Sequence, residues 1–163
     1  MDGARAPWWR PRADAAFVGL SGAHGPSELA RAVFEAVARD VVRCLAAAAQ
    51  CRPAAPHPAL LHLAGAGARS PAWQEVLSGI SGLPVDRRRS GQAASAGAAL
   101  LASGAVGDGW ELDRLDPVVE RSVPDPAVVE QYGRLRHGAD HVAAALIELG
   151  TAAGTMGPSG SSS

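Results

Sequence analysis

The residues with the clearest chemical potential lie in one glycine-rich turn, Gly65-Ala66-Gly67-Ala68-Arg69-Ser70, which Pro71 follows. Glycine has no side chain, so a ligand can approach the backbone closely, and the N-terminus of a following helix offers N–H groups that electron-rich and anionic groups bind. The turn predicts a nucleotide site formed by main-chain atoms. Two glycines that only turn the chain without steric strain are the structural alternative.

Short regular elements must position this turn. Residues 60–64 form an apolar run after a proline-rich segment, which is typical of a buried strand. Ser70 is a favourable helix cap and proline is favoured at the first helical position, so we expect a helix from Pro71 through about Ser81. A second strand is predicted to open at Leu83. The unit is therefore strand, turn, helix, strand.

The same spacing also resembles a dinucleotide-binding fingerprint. Gly65 and Gly67 are followed by Asp86, which is expected at the end of the second strand, where an acidic residue would bind a ribose. The third glycine of that fingerprint is replaced by Ser70, directly before Pro71. An oxidoreductase-type domain is therefore the least favoured interpretation.

Composition narrows the class of protein. The chain has 163 residues, the size of a single domain, and a formal net charge of −1. All its basic residues are arginines and none implies a general basic face, so nucleic acid is not an expected partner. No apolar run approaches the roughly 18 to 20 residues of a membrane span, and no signal segment opens the chain. We expect a cytoplasmic protein with no membrane partner.

Helical periodicity predicts the longest helix over residues 26 to about 50, packed in the core through an apolar stripe. The stripe consists of Leu29, Val33, Val37, Val41 and Leu45. Cys44 and Cys51 lie about 10 Å apart along this helix, beyond disulfide reach, and are expected to be small core residues. The Trp8-Trp9 loop before the helix is expected to cover the edge of the core rather than to bind a ligand.

The second half of the chain predicts alternating loops and helices. The charged run 86–90 is expected to be a solvated turn, residues 92 to about 103 a helix of small residues, and 113–125 an irregular segment. Glycine at position 97 weakens the helix by about 1 kcal/mol relative to alanine. We expect close packing at Gly97 to compensate for this cost. A last helix covers about 127–149. We expect a single domain over residues 1–150 and a disordered tail over 151–163.

Metal binding is not predicted. His137 and His141 stand one helical turn apart with Asp140 between them, but no third ligand is in sight.

One segment of the chain resembles the C-terminal signature of the FGGY carbohydrate kinases, in particular their xylulokinase-like members. The signature begins with a small residue, an apolar residue, and a glycine followed by an aliphatic residue. After a spacer it has a polar residue and an aliphatic residue. It ends with a small residue, two apolar residues and an acid or amide. The residues that fill its constrained positions are Ala15, Phe17, Gly19, Leu20, Glu28, Leu29, Ala32, Val33, Phe34 and Glu35.

Three further segments resemble the family in the right order. Residues 3–7 are similar to its Gly-Glu-Arg-x-Pro loop, with Ala4 in place of the Glu. Residues 65–74 are similar to its Gly-Gly-Gly-Ala-x-Ser-x-x-Trp adenosine motif, with Ala66 in place of the second glycine. Residues 92–99 are similar to its Glu-x-x-x-x-Gly-Ala-Ala helix, with Gln92 at the acidic position.

The resemblance implies a helix-rich α/β chain, part of an actin-like ATPase or ribonuclease H-like domain that forms the C-terminal half of a sugar kinase. It implies ATP or ADP with Mg2+ as cofactors, and a sugar substrate. Adenosine would lie on the turn. Ala66, which replaces the family's second glycine, is tolerated there if its φ is negative. The implied binding residues are Gly65, Ala66, Gly67, Ala68, Ser70 and Trp73.

The family's catalytic Asp, in a Gly-x-x-Asp segment, and its sugar-binding and phosphate-binding parts have no counterpart here, so no catalytic residue is predicted. Phosphoryl transfer needs groups from both halves of the cleft. The leading hypothesis is therefore the nucleotide-side portion of an ATP-dependent carbohydrate kinase that works with a missing N-terminal sugar-binding half. The alternative is a non-catalytic nucleotide-binding or interaction module derived from such a kinase.

Overall fold

A computed structural model describes residues 3–11, 13–54, 56–107 and 109–154, excluding the side chains of 151–154. The α-helices are α1 (Pro26–Cys51), α2 (Pro71–Ser81), α3 (Ala93–Ala105), α4 (Leu112–Leu115) and α5 (Pro126–Gly154). The strands are β1 (Leu61–Leu63), β2 (Val85–Arg88) and β3 (Val118–Ser122), and a 3₁₀ turn spans Ala66–Arg69.

The chain divides into two compact units. One contains residues up to Pro53 and from Gln131 onwards, and the other contains Ala54–Glu130. Helix α5 begins in the second unit and continues into the first. One domain over residues 1–150 stays a prediction. Of the predicted tail, residues 151–154 continue α5 and the rest lies outside the described residues.

The sheet lies in the unit Ala54–Glu130 and has the strand order β1-β2-β3. Strands β1 and β2 are parallel, with Leu61 opposite Val85, and α2 supplies the crossover that a parallel pair requires. The predicted helix Pro71–Ser81 is confirmed. The predicted first strand is confirmed over Leu61–Leu63, but it is not buried, because it lies at the edge of the sheet. The second strand begins at Val85 rather than Leu83. Its pairing with β1 starts at this point, since the first hydrogen bond between them runs from the Leu61 N–H to the carbonyl of Pro84 at 2.9 Å.

The prediction that residues 86–90 form a solvated turn is wrong for the first three of them. Asp86 lies inside β2 and is only 1% exposed. Its carboxylate accepts two hydrogen bonds from Arg121 of β3, from Nε at 2.5 Å and from Nη2 at 2.7 Å. These bonds, more than the Coulombic attraction, hold the pKa of the Asp86 carboxyl below its usual value. Burial of this charge is possible because its partner stands directly opposite in the antiparallel register.

The prediction that residues 113–125 are irregular is also wrong. The segment contains the end of α4 and the whole of β3, which pairs with β2. Prolines at 117 and 124 bracket the strand and suggested a loop, but neither lies within it. A second charged pair matches the register on the other face, where Arg87 Nε donates to Glu120 at 2.8 Å.

The first unit is held together by polar contacts. Tyr132 of α5 is 8% exposed, and its hydroxyl donates to Glu35 of α1 at 2.8 Å and accepts from Arg31 at 3.0 Å. The apolar stripe predicted for α1 is not in the core, because Val33 and Val37 are about half exposed. Within α1, which is described throughout, only one small residue, an alanine at position 38, is buried.

The tryptophan loop and the cysteines fit their predictions in part. Trp8 donates from Nε1 to Asp40 at 3.0 Å, and the guanidinium of Arg43 lies 5.2 Å from its ring centroid, so this ring covers α1 as expected. Trp9 is 66% exposed and covers nothing in this way. Both thiols are free, but Cys51 is exposed rather than in the core.

The small-residue helix predicted from residue 92 is confirmed as α3, with Gln92 at its N-cap. The close packing expected at Gly97 is not observed, because a Cβ built there would meet no atom within 4 Å. Leu101 in the same helix is 80% exposed. The last helix is confirmed, and it runs from Pro126 to Gly154.

The buried carboxylate yields a stability prediction. We expect Asp86→Asn to reduce the free energy of unfolding near neutral pH by about 1 to 2 kcal/mol, because it weakens a charge-assisted pair. Asp86 has a lower pKa folded than unfolded, so its contribution is complete above about pH 5 and is lost as the pH falls through about 4 towards the folded value. Urea unfolding should therefore show the difference shrinking at about pH 3.

Asp113→Asn is the matched control, since this carboxylate also pairs with an arginine but its side chain is 79% exposed. It should change stability little at either pH. An Asp86→Asn difference of the same size at both pH values would contradict the prediction.

Candidate functional site

The turn after β1 adopts a conformation that only glycine accepts readily. Gly65 has φ +84° and ψ −178°, a region closed to residues with a side chain. Ala66, which stands where the resembled motif has its second glycine, has no such requirement: among the described residues, Trp9 alone of the non-glycines has a positive φ. The condition for tolerating alanine at this position is therefore met.

The start of α2 is capped by its own neighbours. Ser70 is the N-cap as predicted, and its Oγ accepts a bond from the Trp73 N–H at 3.3 Å. The Ser70 carbonyl accepts from the Gln74 N–H at 3.1 Å, and Pro71 has no N–H. The Trp73 N–H is thus already bound within the turn, and position 71 offers no donor to a ligand.

A buried amide holds the turn from below. Gln74 is 1% exposed, and its Nε2 donates to the carbonyl of Ala68 at 3.0 Å, while its Oε1 accepts from Ser122 of β3 at 3.1 Å. Ala68 itself is only 2% exposed. No sequence pattern indicated this link, because it joins α2 to a strand that was not predicted.

A second turn lies beside the first. Residues 89–92 follow β2, and the Gly65 N–H donates to the carbonyl of Gly91 at 2.8 Å. Gly91 has φ +63°, and a Cβ there would stand 3.5 Å from the Gly65 oxygen. The carboxyl ends of the two parallel strands thus meet in one pair of turns, which is where ligands of open α/β sheets bind.

The predicted site residues occupy this place but differ in exposure. Gly65, Ala66 and Gly67 are exposed. The space beside the two glycines is open, since a Cβ built on either would meet no atom within 4 Å. Ser70 and Trp73 are partly buried beside them. The open backbone of the turn therefore fits the close approach of a flat ligand, while the buried Ala68 anchors it.

The dinucleotide alternative does not fit this geometry. Its acidic residue would be Asp86, which would have to reach a ribose from the end of β2. Asp86 instead lies within the strand, buried and bound by Arg121. The oxidoreductase interpretation is therefore wrong.

Comparison with known proteins identifies the family to which the chain belongs. The profile of the FGGY family of carbohydrate kinases, C-terminal domain, matches residues 1–106. The xylulose kinase of Klebsiella pneumoniae is 37% identical over 142 residues, which are 83% of this chain and 28% of that kinase. The glycerol kinase of Cereibacter sphaeroides (strain ATCC 17029 / ATH 2.4.9) is 34% identical over 142 residues, which are 81% of this chain and 28% of that kinase.

A solved structure shows the same fold. The ligand-bound xylulose kinase from Lactobacillus acidophilus has a TM-score of 0.74 at 24% identity, covering 87% of this chain and 29% of that one. The fold is thus that of the actin-like sugar kinases. The chain belongs to the FGGY family of carbohydrate kinases, as the resemblance of residues 15–35 implied. It spans less than a third of the length of these relatives.

The described part of the chain contains neither a candidate membrane span nor a candidate metal site. None of its helices combines the length and hydropathy that crossing a bilayer requires. Within the same residues, no group of three or more His, Cys, Asp or Glu side chains is arranged to hold a metal ion.

The two glycines of the turn form a matched pair for mutation. Gly65→Ala should reduce the free energy of unfolding by about 1 to 3 kcal/mol, because alanine is strained at its φ and ψ. Gly67→Ala should stay within about 0.5 kcal/mol of wild type, because its Cβ would enter open space without a positive φ. Denaturant unfolding measures both. Equal stabilities of the two variants would contradict the assigned backbone conformation.

Proposed function

We propose that this protein is the nucleotide-side portion of an ATP-dependent carbohydrate kinase, which transfers the γ-phosphoryl group to a hydroxyl of a sugar or polyol. The observation that carries the proposal is the exposed turn of Gly65 and Gly67, held between Gly91 on one side and Gln74 below. Family membership supplies the reaction class. The adenosine of ATP or ADP would lie on this turn, against Gly65, Ala66, Gly67, Ser70 and Trp73, with Ala68 as its anchor.

The conformation of the turn supports adenosine binding. Its backbone is reachable at three consecutive exposed residues, and one helix donor next to it, the Trp73 N–H, is already bound by Ser70. A flat, uncharged ring system can therefore pack on the turn without displacing existing hydrogen bonds. The charged phosphates would extend away from it.

The charged groups near the turn support a mechanism in which this chain and a companion half supply different parts of the active site. Asp86 is committed to Arg121, and Asp116 accepts two bonds from Ser90, so neither carboxylate is available as a base or as a ligand for Mg2+. Mg2+, when bound with ATP, would supply positive charge that neutralises the phosphates. We infer that the general base, the Mg2+ site and the sugar pocket come from a companion sugar-binding half, and that this chain binds and orients the nucleotide.

A titration calorimeter tests the nucleotide step. We expect the purified protein to bind ADP with a dissociation constant below about 1 mM, and more tightly than NAD. Gly67→Ala should weaken ADP binding by at least about fivefold, roughly 1 kcal/mol, since its methyl group would stand where the ligand packs.

The matched control is Gly104→Ala, another glycine whose Cβ would meet no atom within 4 Å but which lies near the C-terminal end of α3. It should leave ADP binding unchanged. No heat with ADP, or tighter binding of NAD, would refute the nucleotide assignment.

A second experiment separates the kinase from the non-catalytic module. The protein is combined with the sugar-binding half encoded immediately upstream in the genome, and ATP-dependent phosphorylation of a panel of ketoses and polyols is measured. Transfer that requires both polypeptides supports the kinase. ADP binding without transfer, or no related half upstream, supports the non-catalytic module. The replacements at Ala4, Ala66 and Gln92 also favour the module.

A further inference from the structure

We propose that Asp116 is a positioning residue of the nucleotide site, which acts through the turn of Ser90 and Gly91 to fix Gly65 for ligand binding. The inference rests on the proposed function, since it gives the turn of Gly65 its role. Asp116 belongs to none of the segments that resemble the family, and it lies outside the profile match of residues 1–106.

The carboxylate of Asp116 holds one residue with both oxygens. Oδ1 accepts from the Ser90 backbone N–H at 2.8 Å, and Oδ2 accepts from the Ser90 Oγ at 2.8 Å. Asp116 is 4% exposed, so this pair of bonds is shielded from water. The backbone bond, followed by the side-chain bond, keeps the pKa of the Asp116 carboxyl below its ordinary value. The carboxylate is therefore ionised under ordinary conditions.

Asp116 is itself held in place by the sheet. Arg88 of β2 donates from Nη1 to the Asp116 carbonyl at 2.7 Å and to the carboxylate of Asp113 at 2.8 Å. The next carbonyl, of Pro117, accepts from the Arg89 N–H at 3.0 Å. The connection between α4 and β3 is thus a fixed support under the turn.

The hold on Ser90 passes to the site in one step. Gly91 follows Ser90, and its carbonyl accepts the Gly65 N–H at 2.8 Å. Gly65 and Gly91 both have positive φ values, which favour glycine. Because glycine has no side chain, no side chain of their own restrains the two turns at these points. The carboxylate of Asp116 therefore supplies a restraint that the glycine backbone lacks.

The test compares three variants in two measurements. Amide hydrogen exchange without nucleotide reports the Gly65 N–H bond directly, and calorimetry reports ADP affinity. In Asp116→Asn we expect exchange at Gly65 to accelerate by about tenfold and ADP affinity to fall by at least about fivefold. Ser90→Ala loses both bonds of Oγ, the one to Asp116 and the one from the Gln92 N–H at 3.1 Å, but it keeps the backbone bond to Asp116 and should give smaller changes in the same direction. Glu111→Gln, which removes an exposed carboxylate five residues away that has no part in this support, should match wild type in both.

Each outcome decides a different claim. If Gly65 exchange is unchanged in both Asp116→Asn and Ser90→Ala, the inference is overturned, whether or not nucleotide binds. If Gly65 exchange accelerates but ADP affinity does not change, the positioning role is overturned as well. If wild type does not bind ADP, the proposed function fails, and the exchange rates alone decide whether Asp116 fixes Gly65. Ser90→Ala keeps the test valid if Asp116→Asn does not fold.

Discussion

The hydrogen bond from the Gly65 N–H to the Gly91 carbonyl is the constraint on which the candidate site depends. It joins the turns that leave two parallel strands, so it exists only if α2 crosses over and returns the chain in register beside β1. Glycine is needed at both ends of the bond, because both residues have positive φ. Gln74 supports the first turn and Asp116 supports the second, each as a buried polar group with its partners satisfied. A flexible glycine backbone is thereby held in one conformation.

Local signals made half of this arrangement predictable from the sequence. The cap at Ser70, the proline after it and the apolar run before Gly65 are decided by neighbours within a few residues, and each was found where the sequence placed it. The turn of Gly65 was identified as the candidate site for the same reason. Its glycines were apparent from the local sequence, whereas the conformation that they adopt is held by Gly91, Gln74 and Asp116.

Contacts between distant residues were not predictable in this way. Asp86 was expected in solvent because its partner Arg121 lies in β3, and β3 was hidden between two prolines. Without β3, neither the support by Gln74 nor the support by Asp116 has a signal in the sequence. The stripe through Val33 and Val37 failed for another reason, since periodicity shows that a helix has an apolar face but not what covers it.

The exposed apolar surface is in keeping with a chain that performs part of a reaction. Leu101 and Val106, at α3, are 80% and 79% exposed, and exposed apolar surface of this kind is typical of interaction sites. The relatives whose C-terminal domain this chain matches are more than three times as long as the matched region, which is 28% of their length. In the proposed function the paired turns bind and orient the nucleotide, whereas phosphoryl transfer needs charges from the opposite side of a cleft.

The most direct test of the central claim is a nitrogen–proton correlation spectrum of the labelled protein, recorded while ADP is added. If the paired turns bind the nucleotide, the largest shift changes will fall on the amides of Gly65, Gly67 and Gly91, and they will saturate together. Shift changes that spare these three amides while appearing elsewhere, or a spectrum that ADP does not alter, would contradict the account.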